Sequence, residues 1–107
     1  MLEIMRTRIG VITYLAPIGT FIEEEDLTTL KKSIGSCIAS QESNLVIDLS
    51  KVPALTGAAL EFMIDTQEQL TRMGGELKVV NANALLKDIF LITGFDKYVA
   101  ILDQSTN

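Results

Sequence analysis

The chain has 107 residues, 48% of them hydrophobic, and a formal net charge of -5 from 9 Lys+Arg against 14 Asp+Glu. That size and apolar content suit one packed domain spanning 1–107, and the acidic balance leaves no basic footprint for nucleic acid or anionic lipid. Histidine is absent, which excludes serine and cysteine hydrolase triads and histidine-based metal sites in their usual forms.

The N-terminal stretch Leu2–Thr7 reads as a strand with mixed alternation, Gly10 as a turn, and Val11–Leu15 as a better strand, together an antiparallel hairpin. Pro17 and Gly19 punctuate a loop over 16–22. The acidic run Glu23, Glu24, Glu25 and Asp26 then suits the positive end of a helix. This helix is predicted to reach about Ser40, with Leu27, Leu30, Ile34, Cys37 and Ile38 on one face. Gly35 in its middle costs ~1 kcal/mol relative to alanine, and close approach of a neighbouring element is the functional reading of it.

A short apolar strand, Asn44–Asp48, and a loop over 49–55 lead to a second helix that Thr56 is placed to cap. Its inner face is predicted to carry Leu60, Met63, Ile64, Gln67 and Leu70, with Leu55 and Leu60 flanking the cap as a hydrophobic staple. Gly74 and Gly75 end the helix and strand Glu76–Val80 follows at once. Asn83 caps a third helix whose buried stripe is predicted as Leu85, Leu86, Ile89 and Phe90, and Gly94 ends it before a last strand, Val99–Leu102. The tail over 103–107 is expected to fray. Strands alternating with helices imply right-handed parallel crossovers, so the fold class is α/β: a mixed sheet with an N-terminal hairpin and βα crossovers packed by helices.

The lone cysteine, Cys37, cannot form an internal disulfide, and the N-terminal residues lack the basic and long apolar regions of a secretory signal, so a cytoplasmic setting is expected. No apolar stretch approaches the ~20 residues that cross a bilayer, and any link to a membrane would go through a partner. The glycines do not form a phosphate-binding P-loop, because none is followed by Lys and then Ser or Thr. Neither a cofactor nor enzymatic activity is expected.

Glu61, Asp65 and Glu68 share one face of the second helix, a spacing that in principle gathers a hard cation; they read first as a solvated stripe with Glu68 and Arg72 in the favourable order for a helix ion pair, and second as a docking surface. Cys37 reads as a small buried hydrophobe. Asp48 and Ser50 follow a buried strand at the edge where ligands sit in α/β sheets, and each could equally satisfy loop amides. Thr56 has two compatible roles. As a cap it contributes about 1 kcal/mol; as a phosphate acceptor it would carry about two negative charges at a helix N-terminus, where amides and dipole stabilise them.

Nearly the whole chain resembles the STAS domain, shared by anti-sigma factor antagonists and the cytoplasmic portions of sulfate transporters. The carriers are Gly19 before the acidic helix, NLVIDLSKV at 44–52, TGAALEF at 56–62, GGELKVVNA at 74–82 and LLKDIFLITGFDKYVAI at 85–101. The family typically has Asp-Ser-Ser-Gly or Asp-Ser-Thr-Gly before the second helix, and a partner kinase phosphorylates the residue before glycine. That residue is Thr56 here, while Ala54 and Leu55 replace the family's aspartate and first serine. The resemblance implies a non-enzymatic module of bacterial transcription regulation that binds an anti-sigma factor serine kinase or related switch protein, with phosphorylation ending the contact. Asp48, Ser50, Pro53, Ala54, Leu55, Thr56, Gly57 and Glu61 form the expected partner surface. The alternative is an accessory subunit of a membrane lipid-transport ATPase complex.

Overall fold

The computed structural model describes residues 1–103. Five strands and three helices follow in the order β1 (Glu3–Ile9), β2 (Ile12–Ile18), α1 (Glu24–Ala39), β3 (Asn44–Asp48), α2 (Gly57–Arg72), β4 (Glu76–Val80), α3 (Ala84–Thr93) and β5 (Ala100–Leu102), with one 3-10 turn, Phe95–Lys97, before the last strand. The fold is α/β, as expected from the alternation of periodicities. The sheet order is β1-β2-β3-β4-β5, with β1 antiparallel to β2 and every later pair parallel. The expected tail lies outside the described residues at 104–107, and Asp103, at its start, pairs with Lys87.

The hairpin is longer than predicted. Ile9 and Ile12 close it, so Val11 sits in a two-residue turn with Gly10, whose φ of 62° a side chain would resist. Pro17, expected in a loop, lies buried inside β2 opposite Ile4. A proline is tolerated there because β3 pairs with β2 only at Thr13–Leu15, leaving Pro17 beyond the two-sided part of the sheet.

One sheet face supplies the core. Leu15, Leu45, Ile47, Leu77 and Val79 point into it, against Leu30, Ile34 and Cys37 of α1, Met63 and Leu70 of α2, and Leu86 and Phe90 of α3. The Phe90 and Phe95 rings meet at 4.9 Å with a 39° tilt and close the end under α3. Leu85, predicted in the buried stripe, is 58% exposed, since α3 buries only the line through Leu86 and Phe90, with Ile89 half-buried beside it. Gln67 lies on the inner side of α2 as predicted, where its Oε1 accepts the Leu77 amide at 2.7 Å.

Two polar devices fix the N-terminal half. Asp26 is 4% exposed, and its Oδ2 accepts from the Ile22 and Glu23 amides at 3.2 and 2.9 Å, satisfying free donors before the first turn of α1. Glu42, in the α1–β3 connection, accepts from the Thr13 hydroxyl at 2.8 Å and from Arg6 at 2.9 Å, with Arg8 at 3.4 Å on its other oxygen. This cluster ties both hairpin strands to the end of α1. The Thr13 hydrogen bond, then that from Arg6, hold the Glu42 carboxyl below its ordinary range.

The glycine reading is corrected by the structure. Gly35 is exposed, with no atom within 4 Å of where its Cβ would stand, so no element approaches it. The close approach is at Gly75, whose Cβ would fall 1.9 Å from the Ser43 carbonyl oxygen.

Gly35→Ala is therefore expected to raise stability by about 0.5–1 kcal/mol in urea unfolding, whereas Gly75→Ala forces the β3 and β4 entries apart and lowers it. For Glu42 the folded pKa is depressed, so its contribution is complete above the unfolded value of about 4.3 and is lost as pH falls through the lower folded value. Acid unfolding of Glu42→Gln followed by circular dichroism is expected to show a weaker pH dependence in that window than the parent chain.

Candidate functional site

The loop from Leu49 to Leu55 is fixed from three directions before it reaches Thr56. Leu49 and Val52 are buried at 1% and 2% exposure, and the Leu49 amide donates to the Val80 carbonyl at 2.9 Å. On one side the Gly19 amide donates to the Lys51 carbonyl at 3.1 Å and the Phe21 amide to the Ala54 carbonyl at 3.2 Å, with Phe21 and Leu55 forming a parallel bridge. On the other, Asn83 donates its side-chain amide to the Pro53 carbonyl at 3.4 Å. Backbone bonds from the segment before α1 thus set the conformation at Ala54 and Leu55, with no carboxylate needed there.

Asp48 and Ser50 stand at the start of this loop. Asp48 Oδ1 accepts from the Ser50 amide at 2.9 Å and from the Asn81 side chain at 3.1 Å. The Asp48 carboxylate therefore joins the ends of β3 and β4, and Ser50 remains exposed beside it. Asn81 has φ 62°, a left-handed conformation that asparagine accepts more readily than most residues.

Thr56 is extended at φ -92° and ψ 164°, and its Oγ1 accepts from the Ala59 amide at 3.3 Å, the predicted cap. Thr56, Gly57 and Ala58 are all exposed. The first turn of α2 carries no acidic residue, in contrast to α1, whose first turn holds Glu24, Glu25 and Asp26. The positive end of α2 is thus left without a carboxylate at an accessible hydroxyl.

Beside this end, Gly57, Leu60, Glu61 and Ile64 of α2 face Thr93 and Phe95 across a groove of about 320 Å³. Glu61 is exposed on its rim, one turn on from Gly57. The structure thus brings Pro53 to Gly57 and Glu61 together at one end of the molecule, while Asp48 is committed to hydrogen bonds within the β3 and β4 ends.

Glu61, Asp65 and Glu68 are exposed, and no group of three metal-ligating side chains occurs among the described residues. The expected pair between Glu68 and Arg72 is not formed: among the described residues no carboxylate lies within 4.0 Å of Arg72, because both side chains extend into solvent where a pair gains little. Cys37 is buried as expected, and burial pushes its thiol pKa up, away from reactivity.

Sequence reasoning missed Ile22, 68% exposed next to the Phe21–Leu55 bridge, and the groove wall from Thr93 and Phe95. An asparagine directly after a strand was the one legible signal for Asn81. Nothing local places the segment of Phe21 and Ile22 against the loop at residue 55.

Comparison with known proteins agrees with this geometry. A match to the STAS domain family spans residues 9–106. Among solved structures, an anti-sigma factor antagonist from Mycobacterium paratuberculosis is 25% identical with a TM-score of 0.82, covering 94% of this chain and 85% of its own. A Thermotoga maritima protein superposes with a TM-score of 0.84 at 16% identity, over 95% and 86% of the two chains. The Bacillus cell fate determinant SpoIIAA in its phosphorylated form has a TM-score of 0.74 at 8% identity, over 96% and 92%. Sequence comparison with curated proteins gives no significant match.

The cap geometry sets an expectation for stability alone. Thr56→Ala is expected to cost about 1 kcal/mol in chemical denaturation, within the ~0.5–2 kcal/mol of lost caps, and Thr56→Ser or Thr56→Asp to retain most of it.

Proposed function

Because this chain belongs to the STAS domain family, we propose that it is a non-enzymatic interaction module of bacterial signalling, acting in the cytoplasm on an anti-sigma factor serine kinase or a related switch protein. The partner surface in this reading is the braced loop with Pro53, Ala54, Leu55, Thr56 and Gly57, extended by Glu61 and by exposed Ile22. Ser50 borders it, and Asp48 holds it in place. The likeness to the mycobacterial anti-sigma factor antagonist supports the class of partner.

One observation carries the reading: an exposed threonine hydroxyl on a rigid loop, at a helix N-terminus with no acid in its first turn. A rigid loop presents one shape to a partner without an ordering cost at binding. In the unmodified state the Thr56 hydroxyl is used for capping and its chain neighbours Pro53, Ala54, Leu55 and Gly57 carry no charge, so this part of the surface can be desolvated cheaply. Phosphorylation would place about two negative charges there. The free first-turn amides and the helix dipole would stabilise them in the isolated protein, while burial against a partner would require their desolvation. Phosphate would therefore leave the fold intact and dissociate the complex.

The Ala54 and Leu55 replacements fit this division of roles. The loop takes its shape from backbone bonds to Gly19 and Phe21, and an apolar pair in place of two polar residues makes the contact area cheaper to dehydrate.

The test separates capping from switching. The chain is mixed with its cognate anti-sigma kinase and ATP, and both complex formation and phosphate on residue 56 are followed by mass spectrometry. Thr56→Ser is expected to bind and accept phosphate like the parent. Thr56→Asp is expected to keep normal stability and lose binding by about tenfold or more, since the introduced charge is buried unpaired. A Thr56→Asp variant that binds like the parent overturns the switch, and absence of any complex with the kinase overturns the partner class. Recovery of a transport ATPase subunit by the native chain in place of a kinase would assign the same surface to a transporter complex.

A further inference from the structure

The sheet has a second face that no helix covers. Paired residues across a sheet share a face, so one row of this face runs Tyr14, Val46, Lys78, Ala100 across β2 to β5. The next row contains Met5 opposite Ala16, and Asp48, Val80 and Leu102. Val46 and Val80 are 7% and 3% exposed, yet neither belongs to the core cluster, because both are shielded only by neighbours on their own face. Met5, Ile9 and Val11 on the hairpin are 62%, 65% and 69% exposed. A sheet in which β2 to β5 are all parallel normally has both faces covered, since its strands are apolar on both. This one lacks a second layer.

Charge identifies what fits. Lys78 lies half-buried in the central row, and among the described residues no carboxylate comes within 4.0 Å of it. Glu76 stands two residues away on the same strand and face, exposed and equally unpaired. An adjacent pair of opposite charges on one face is self-complementary under a two-fold axis. We propose that this face packs against the same face of a second copy of the chain, forming an isologous dimer.

The geometry follows from the register. With the axis between the sheets, crossing the strands at the level of Leu77, each strand lies antiparallel over its own copy. Lys78 then meets Glu76 of the second copy, and Glu76 meets Lys78, so both pairs form together. Ile12 is set over Tyr14 of the second copy, which places Ile9 over Thr7 beside that Tyr14 ring, and Val11 at the turn comes towards Ala16. Two sheets packed this way stand about 10 Å apart and inclined by about 30°, the ordinary sandwich arrangement. A hollow of about 190 Å³, lined by Val11, Ile12, Asn44, Val46, Glu76 and Lys78, receives side chains from the second copy. The loop carrying Thr56 leads into α2 on the opposite side of the sheet, so both copies keep it accessible.

Sedimentation equilibrium of the full chain over a wide concentration range tests the dimer. A monomer–dimer equilibrium is expected. Lys78→Glu and Glu76→Lys each set like charges face to face and are expected to raise the dissociation constant about tenfold or more. The double variant restores opposite charges and is expected to return to within about threefold of the parent. Ile9→Asp changes an exposed residue and is expected to abolish the dimer with an unchanged thermal midpoint of the monomer. Thr56→Asp leaves the equilibrium unchanged, which keeps this result separate from the kinase test. A parent chain that stays monomeric throughout overturns the proposal, whether or not another protein is found on this face. So does a dimer indifferent to all three substitutions at 76, 78 and 9.

Discussion

Every parallel connection in this protein steps one strand in the same direction across the sheet, and this constraint governs the rest. With the order β1-β2-β3-β4-β5 and right-handed crossovers, α1, α2 and α3 must all lie on one face. The core therefore forms between that face and a single helical layer, and the C-terminal ends of β3 and β4 converge on the N-termini of α2 and α3. Thr56 stands at that edge because the topology delivers a helix start there. The opposite face is left without a helical layer by the same rule.

The loop before α2 shows how rigidity is obtained without regular structure. Its carbonyls at 51, 53 and 54 are each taken by a donor from another segment, and Leu49 and Val52 are anchored in the core. Asp48, braced between Ser50 and Asn81, extends the support to the strand ends. A surface held in one shape in this way loses little entropy when it is covered.

Polar groups in the N-terminal half do related work. Asp26 answers the free amides before α1, and Glu42 gathers Arg6, Arg8 and Thr13 so that a hairpin with a largely exposed first strand stays docked. Thr13 is fully buried, and its hydroxyl would be costly without the Glu42 partner. These residues share no local motif, and the acidic run 23–26 gave no indication that Asp26 alone turns inward.

The sequence by itself determined the elements and the cap. Strands β3 and β4, the span of α1 and α2, and the hydroxyl of Thr56 as N-cap all follow from local periodicity and short-range hydrogen bonding, which are encoded within a few residues. Where the reading went astray, a non-local partner decided the outcome. Pro17 entered a strand because β3 ends its pairing at Leu15, Leu85 faced water because of how α3 sits on the sheet, and Gly75 rather than Gly35 met a neighbour because Ser43 lies across it. Only the tertiary structure brought Phe21 beside Leu55, joined Asp48 to Asn81, and left Lys78 and Glu76 together on an uncovered face. Such relations depend on which surfaces the crossovers bring into contact, and no local pattern in the chain records that.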